Sequence, residues 1–375
     1  MNSQLLRRKL HQHPELSLEE HDTAARIIDF MHALNPDAVV KNIGGTGVAI
    51  TFGNMENSEE THVMLRCELD ALPITELNTF AHKSQCHGVS HKCGHDGHMA
   101  ILAAVAEHYS QHKPQNGQVT LLFQPAEETG QGAEAVINDP QFQLSPDYVF
   151  ALHNVPKFEM GEIIVKSGTM CCASRGATIR FEGKTAHAAQ PETGISPVHA
   201  IHALIPVLTD MPQLINVTSP FTFATIVGVN IGEKAFGTAP SLGEVYVTLR
   251  SETDAEMSQL ICEIETQATA LAEQHQLSLS VNYEDVFDAT VNHPQAVDII
   301  KSALADESVT LTDTPFRWSE DFGRFTQRHC GALFGLGAGK ATPDLHNADY
   351  DFPDELIATG SGYFVKLIDH ILDLK

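Results

Sequence analysis

The stretch VSHKCGHDGHMA, residues 89–100, carries five potential metal ligands within eight positions: His91, Cys93, His95, Asp96 and His98. Thiolate, imidazole and carboxylate groups together are typical of catalytic sites for divalent metals. A histidine-rich loop is the alternative, because the chain contains 21 histidines and a single histidine is more often a surface or core residue than a ligand. The metal interpretation therefore needs further ligands elsewhere in the chain.

Short apolar runs that are typical of buried strands occur at residues 47–52, 62–67, 119–123, 148–152 and 332–337. Between the second and third runs, the segment HMAILAAVAEHY is apolar nearly all round, which predicts a helix packed deep against a sheet. Strands that alternate with helices indicate an α/β fold. Residues 17–34 read as an amphipathic helix, with Ser17 and Glu20 at the spacing of a capping box.

Ligand-type residues follow the ends of four predicted strands. They are Glu68 and Asp70 after residues 62–67, Glu127 and Glu128 after residues 119–123, His153 after residues 148–152, and His346 in the loop after residues 332–337. Open α/β sheets bind ligands beyond the carboxyl ends of their strands. We therefore expect side chains from several segments to meet Cys93 and His95 at one edge of the sheet.

Each of these residues also has a simpler interpretation. Glu127 and Glu128 could be a solvated helix start, where the helix dipole favours carboxylates. The constrained surroundings, Gln-Pro before and glycines after, favour a turn in which one carboxylate faces a metal and the next a water. We expect His98 to support the site rather than bind metal, and Asp96 to orient a ligand or cap the helix.

The middle of the chain reads as strand, helix, strand, strand, helix, strand, which is the order of a ferredoxin-like unit. This pattern predicts an inserted α+β domain at residues 173–285. The first domain would then be discontinuous and comprise residues 1–172 and 286–375.

The formal net charge of -25 disfavours nucleic acid and anionic membranes as partners. There is no apolar region after the N-terminal charges and no apolar run long enough to span a bilayer, which predicts a cytoplasmic protein. Seven irregularly spaced cysteines without a CxxC pair predict neither a disulfide framework nor a structural zinc ribbon.

The chain resembles the amidohydrolase branch of the aminoacylase and carboxypeptidase G2 superfamily, which includes hippurate hydrolases and auxin-conjugate hydrolases. The motifs that carry this resemblance occur in the family's order and span nearly the whole chain: RRKLHQHPELSLEEHDTA, LRCELDALPITE, HKCGHDGHMAIL, FQPAEETGQGA, ALHNVP, GKTAHAAQPETGISPV, WSEDFGRF and LHNADYDFPDE.

The resemblance implies two divalent metal ions in a mixed-sheet catalytic domain, and the implied ligands are Cys93, His95, Glu128, His153 and His346. This mixture of thiolate, imidazole and carboxylate suits zinc, manganese, cobalt or nickel. We expect Asp70, Asp96 and His98 to support the ligands. The resemblance further implies that Glu127 is the general base toward a metal-activated water. The inserted domain would be a lid that also forms a homodimer, and His187 would reach a partner's active site and stabilise the tetrahedral intermediate.

Three positions depart from the family's pattern. Gly237 stands where the family usually has an asparagine that contacts substrate, Glu68 replaces an aspartate, and Ser196 stands where an aspartate is usual. Because no implied ligand is lost, we expect retained catalysis with altered specificity. Arg250 remains available to pair a substrate carboxylate.

The leading hypothesis is a metal-dependent hydrolase that removes the acyl group from an N-acyl amino acid or short peptide. A dipeptidase or aminopeptidase, which would accept a free amino group, is the second hypothesis. A non-catalytic binding protein on the same scaffold is the third, and it is suggested by the departures at Gly237, Glu68 and Ser196.

Overall fold

A computed structural model describes residues 2–53, 60–215, 217 and 219–374. The strands in these ranges are β1 (Ala38–Ile43), β2 (Gly47–Gly53), β3 (His62–Glu68), β4 (Gln118–Gln124), β5 (Tyr148–Val155), β6 (Ile163–Val165), β7 (Gly168–Cys171), β8 (Ala173–Glu182), β9 (Ala186–His187), β10 (Phe223–Ile231), β11 (Thr238–Ala239), β12 (Leu242–Ser251), β13 (Ser278–Phe287), β14 (Thr290–Asn292), β15 (Val309–Leu311) and β16 (Cys330–Gly337).

The helices in the same ranges are α1 (Ser3–Gln12), α2 (His21–His32), α3 (His95–Gln111), α4 (Gly132–Asn138), α5 (Val198–Thr209), α6 (Met211–Leu214), α7 (Asp254–His275), α8 (Pro294–Ala303), α9 (Gly323–Thr326) and α10 (Glu355–Ile371). In the part of the chain that is described, no helix has both the length and the apolar character needed to cross a membrane. The cytoplasmic location stays a prediction.

The chain divides into two compact units. Unit 1 comprises residues 1–170, 290–315 and 321–375, and unit 2 comprises residues 171–289 and 316–320. The predicted inserted segment, residues 173–285, lies within unit 2. The short second segment of unit 2 is held by backbone contacts, since the amide of Cys172 donates to the carbonyl of Phe316 (3.1 Å).

Unit 1 is built on a mixed eight-stranded sheet in the order β1-β2-β4-β3-β5-β16-β6-β15. Its four central strands, β4, β3, β5 and β16, are parallel to one another, so their carboxyl ends lie at one edge of the sheet. These strands are buried almost throughout, as their continuous apolar runs predict. Helix α3 packs against the sheet and against α1 and α10, which accounts for its apolar character on all sides.

Unit 2 contains an antiparallel four-stranded sheet in the order β10-β12-β8-β13. Along the chain, α5 comes between β8 and β10, the first two strands of this sheet, and α7 follows β12, its third strand. Together with the strand order, this is the ferredoxin-like arrangement. The predicted mixed α/β fold with a ferredoxin-like α+β unit is confirmed.

The predicted capping box at the start of the second helix is wrong. Leu18 has a left-handed backbone (φ 70°), which interrupts the helix, and α2 begins only at His21. The hydroxyl of Ser17 instead donates to Asp70 Oδ2 (2.8 Å), and the carboxylate of Glu20 accepts from the amide of Ala126 (2.8 Å). Ser17 and Glu20 therefore hydrogen-bond to residues that follow strands β3 and β4, and they do not cap the helix.

Candidate metal centre and active site

The carboxyl ends of the parallel strands of unit 1 bring the predicted ligands together. Glu127 and Glu128 lie in the turn after β4, and His153 lies in the last part of β5. His346 lies in the loop after β16, while Cys93 and His95 lie at the start of α3. The expected convergence of separate segments at one sheet edge is what the structure shows.

The first group of possible ligands consists of Cys93, His95 and His153, whose ligand atoms all lie within 4.8 Å of one another. The Sγ atom of Cys93 is 3.4 Å from Nε2 of His153. All three side chains are buried. A thiolate and two imidazoles at this spacing form a ligand set suited to a transition-metal ion.

The second group consists of Cys93, Glu128 and His346, again with ligand atoms within 4.8 Å. Glu128 is 3.8 Å from Nε2 of His346 through one oxygen and 3.8 Å from Nε2 of His95 through the other. Cys93 belongs to both groups. The two groups could therefore hold two cations and share Cys93 as a ligand.

Glu127 is buried beside these groups without belonging to the implied ligand set. Its Oε2 atom is 3.7 Å from Nε2 of His95, and Nε2 of His95 has no hydrogen-bond partner among the described residues. Buried polar atoms are normally paired, so an imidazole nitrogen left facing two carboxylates indicates a place for a cation.

Two of the turns that carry these residues have strained backbones. Ala126, just before the paired glutamates, has φ 47°, and His346 has φ 65°. The amide of His346 donates to the carbonyl of Lys92 (2.7 Å), which joins the His346 loop to the residue before Cys93. Left-handed non-glycine residues cost about 1–3 kcal/mol and are concentrated at functional sites.

Asp70 links two of the segments. The backbone carbonyl oxygen of Asp70 is 2.9 Å from Nδ1 of His95, and Oδ1 of Asp70 is 3.3 Å from the same nitrogen. Its Oδ2 accepts from the backbone amide of Glu128 (2.9 Å). With Nδ1 of His95 engaged in this way, Nε2 is the ring nitrogen available to a metal ion, and supporting carboxylates orient histidine ligands in this manner.

His98 lies behind the ligands in a buried ionic network. Its Nδ1 donates to Glu68 (2.6 Å), and Glu68 also pairs with Arg66. Arg66 in turn donates to Gln124 (2.9 Å) and pairs with Asp321. Burial opposes the ionisation of Glu68, but Arg66 and His98 outweigh it and hold its pKa well below the usual range.

Asp96 contacts helix α1. Its Oδ2 lies 2.7 Å from Nε of Arg7 and accepts from Nδ1 of His11 (2.8 Å). Burial raises its pKa, but these two partners outweigh burial and keep the carboxylate ionised. The N-cap of α3 is Gly94, without a side-chain cap. Asp96 therefore anchors α1 to the start of α3, a role that the prediction of capping or ligand orientation missed.

The charges around the two groups of possible ligands favour the binding of cations. Burial lowers the pKa of His95, yet its hydrogen bond to Asp70 and the charges of Glu68 and Glu128 raise it to about 10. Burial, together with Glu128 and Glu127, raises the pKa of Cys93 well above its ordinary value. A metal ion reverses this balance by stabilising the thiolate. Burial keeps the pKa of His153 well below its ordinary value, so the ring is neutral, as a ligand must be.

The predicted substrate-contacting residues lie in unit 2. His187 is exposed in β9, which pairs with β11, and its Nδ1 accepts from the amide of Ala189 (3.0 Å). Arg250, near the end of β12, is half-buried and donates to the Arg317 carbonyl (2.9 Å) and the Ser319 hydroxyl (3.2 Å). Among the described residues, no carboxylate pairs with Arg250.

Two of the departures from the family's pattern also lie in unit 2. Gly237 is exposed, its carbonyl accepts from the amide of Ala188 (3.0 Å), and a Cβ atom added to it would meet nothing within 4 Å. Ser196 accepts a long hydrogen bond from the amide of Val198 (3.4 Å), where α5 begins.

Comparison with known proteins identifies the class of enzyme. Residues 64–370 match peptidase family M20/M25/M40. The chain belongs to this family and is a hydrolase that acts on amide bonds, which overturns the non-catalytic alternative.

Among its relatives, the hippurate hydrolase of Campylobacter jejuni is 30% identical over 96% of this chain and 94% of its own. The N-acetyldiaminopimelate deacetylase of Bacillus subtilis is 28% identical over 96% of each chain. The fold matches that of the YXEP protein of Bacillus subtilis, described as a dinuclear metal binding peptidase of the M20 family. That match has a TM-score of 0.82 at 23% identity and covers 99% of this chain and 98% of that one.

Proposed function

We propose that this enzyme is a metal-dependent amidohydrolase that releases the acyl group of N-acyl amino acids. The observation that carries the proposal is the meeting of Cys93, His95, Glu128, His153 and His346 beside Glu127, within unit 1 of an M20-family chain. The activities for which its relatives are named, hippurate hydrolysis and N-acetyldiaminopimelate deacetylation, share an N-acyl amino acid as substrate class and support this choice.

We assign one cation to Cys93, His95 and His153 and a second to Cys93, Glu128 and His346. When bound, the cations polarise the scissile carbonyl and make water a stronger acid. Zinc, manganese, cobalt and nickel all suit this mixture of thiolate, imidazole and carboxylate.

Glu127 is the proposed general base. Its carboxylate takes one proton from the attacking water as the carbon–oxygen bond forms, and it gives that proton to the amide nitrogen as the carbon–nitrogen bond breaks. The products are the free carboxylic acid and the free amino group. The burial of Glu127, with its Oε2 atom 3.7 Å from Nε2 of His95, supports this role.

His187 and Arg250 are proposed to contact the substrate. Because Nδ1 of His187 accepts from Ala189, a neutral ring carries its proton on Nε2, where it can donate to an oxyanion. The half-buried guanidinium of Arg250, with no carboxylate partner in the described part of the chain, suits the carboxylate of an N-acyl amino acid.

We also propose that the chain forms a homodimer through unit 2, with His187 acting on the partner's active site. Strand β10 lies at an edge of its sheet, and Val227 and Val229 on it are 64% and 43% exposed. Exposed edge strands with apolar side chains readily pair with another copy. Light scattering should give twice the chain mass for the wild type and a monomer for Val227→Lys; a monomeric wild type contradicts the dimer.

The proposed activity is tested with a panel of N-acetyl and N-benzoyl amino acids beside unblocked dipeptides. We expect hydrolysis of the N-acyl compounds by metal-loaded protein and none after chelation. Faster cleavage of the dipeptides would favour a dipeptidase, and inactivity across the panel in protein that holds two metals per chain would contradict the proposal.

A further inference from the structure

The structure assigns to Asn154 the role of a positioning residue, which holds the side chains of Cys93 and His153 at the spacing a metal ion requires. This inference rests on the proposed metal-dependent function. Asn154 is not itself a metal ligand in that proposal, and its side chain is fully buried.

The main chain of Asn154 sets the orientation of His153. Its carbonyl oxygen accepts from Nδ1 of the His153 ring (2.9 Å). With Nδ1 carrying the proton, the lone pair is on Nε2, which lies 3.4 Å from Sγ of Cys93. The main chain at position 154 thus fixes both the tautomer and the direction of one ligand, and a side-chain variant keeps this contact.

The side chain of Asn154 lies against the turn that carries the other ligands. A Cβ atom added to Gly94, the residue between Cys93 and His95, would be 2.4 Å from Oδ1 of Asn154. Gly94 has φ 101°, a conformation that other residues rarely adopt. The carboxamide therefore packs directly on a glycine turn whose shape sets where Cys93 and His95 point.

The carboxamide is held from both sides. Its Nδ2 donates to the hydroxyl of Tyr350 (2.6 Å), and its Oδ1 lies 2.5 Å from Nε2 of His98. The backbone nitrogen of Asn154 lies 3.3 Å from the same nitrogen of His98. Because His98 is bonded to Glu68, the contacts run from Tyr350 through Asn154 to the buried network at the end of β3.

A buried asparagine with satisfied hydrogen bonds can stabilise the fold without any effect on a metal site. A second buried asparagine, Asn292, provides the matched control. Asn292 is buried, donates to the carbonyls of Lys166 (2.9 Å) and Leu333 (2.8 Å), and accepts from the amide of Leu333 (2.8 Å). It touches none of the proposed ligands through these bonds. Replacing it removes a comparable set of hydrogen bonds without disturbing Cys93 or His153.

The experiment compares Asn154→Leu with Asn292→Leu by chelator competition for Mn²⁺ and by urea unfolding in the presence of EDTA. Loss of groups that orient metal ligands typically weakens metal binding by about 10- to 100-fold. We expect a loss of that size for Asn154→Leu and a change below about threefold for Asn292→Leu, while both variants lose stability toward urea. Equal Mn²⁺ affinity in the two variants overturns the inference.

A second pair decides the question if Asn154→Leu does not fold. Tyr350→Phe removes only the hydroxyl that holds the carboxamide, and Tyr363→Phe removes a buried hydroxyl that donates to the carbonyl of Gly161 (2.9 Å). We expect Mn²⁺ affinity to fall by about 2- to 10-fold for Tyr350→Phe and to stay unchanged for Tyr363→Phe. A wild-type protein that binds no metal would instead overturn the proposed function, and this inference with it.

Discussion

The proposed metal ligands of unit 1 and the proposed substrate residues of unit 2 are held in different ways. In unit 1, Cys93, His95 and His153 are buried, and hydrogen bonds or strained turns fix the segments around them. In unit 2, His187 is exposed and Arg250 is half-buried.

This difference separates two requirements of the enzyme. The reaction needs ligands placed to within a fraction of an ångström, and only close packing with paired polar groups supplies that. Recognition of a particular acyl group or amino acid can change through exposed positions without unfolding anything. The relatives, which are named for different N-acyl substrates, agree with this separation.

The largest effect is expected for Glu127→Gln. The amide keeps the size of the side chain but cannot accept the proton from water, so kcat should fall by about 10²- to 10⁴-fold while metal content stays unchanged. Glu134→Gln, a change of an exposed glutamate on the following helix, is the control. Wild-type turnover in Glu127→Gln would show that the general base lies elsewhere.

The next effect is on stability and concerns the network behind the ligands. Glu68→Ala leaves Arg66 buried without one of its carboxylates, which should cost about 3–5 kcal/mol of unfolding free energy. Glu182→Ala, which removes the exposed partner of Arg180 in unit 2, should cost less than about 1 kcal/mol. Equal losses in urea unfolding would remove the contrast between the two regions.

The stabilisation from Glu68 should also depend on pH. Its folded pKa lies below its unfolded value, so the stabilisation is complete above an unfolded pKa of about 4.3 and is lost as the pH falls through the folded pKa. The difference between wild type and Glu68→Ala should therefore shrink in acid. A difference that widens as the pH falls would show that Glu68 is protonated in the folded state.

A smaller effect on catalysis is expected for Arg250→Met. Loss of a charge-assisted contact worth about 1.5–3 kcal/mol should lower kcat/KM by roughly 10- to 150-fold, mainly through KM. For substrates whose carboxylate is replaced by an amide, wild type and Arg250→Met should have the same kcat/KM. Arg180→Met, at a partly exposed arginine of the same sheet, is the control. Equal effects on acids and amides would mean that Arg250 does not bind the carboxylate.

The smallest effect is expected for Gly237→Asn. Space is available for the side chain, because an added Cβ meets no atom within 4 Å. One neutral hydrogen bond to substrate would change kcat/KM by about 2- to 10-fold, with Gly237→Ala as the control without the amide. If Gly237→Asn and Gly237→Ala have the same kcat/KM for every substrate tested, this position does not affect specificity.

Much of the fold and of the ligand set could be predicted from the sequence. Continuous apolar runs marked the central strands, and the ligand-type residues that follow them had to meet at one edge once those strands were parallel. The βαββαβ order was enough to predict the ferredoxin-like unit, since each of its elements has a clear hydrophobic period.

The supporting contacts could not be predicted, because they join residues that are distant in the chain. Ser17 has the spacing of a helix cap but bonds to Asp70, and Asp96 bonds to Arg7 and His11. Asn154 and Tyr350 lie 196 positions apart and carry no motif of their own. Local sequence patterns report on local structure, whereas these contacts arise only when the sheet is assembled.

Elemental analysis of the purified protein, after full metal supplementation and removal of excess ions, is the decisive test of the dinuclear site. We expect two divalent metal ions per chain in the wild type. Cys93→Ala, which removes the ligand shared by both groups, should hold fewer, whereas Cys67→Ala, at a buried cysteine outside both groups, should hold two. Fewer than one metal ion per wild-type chain would contradict the dinuclear site.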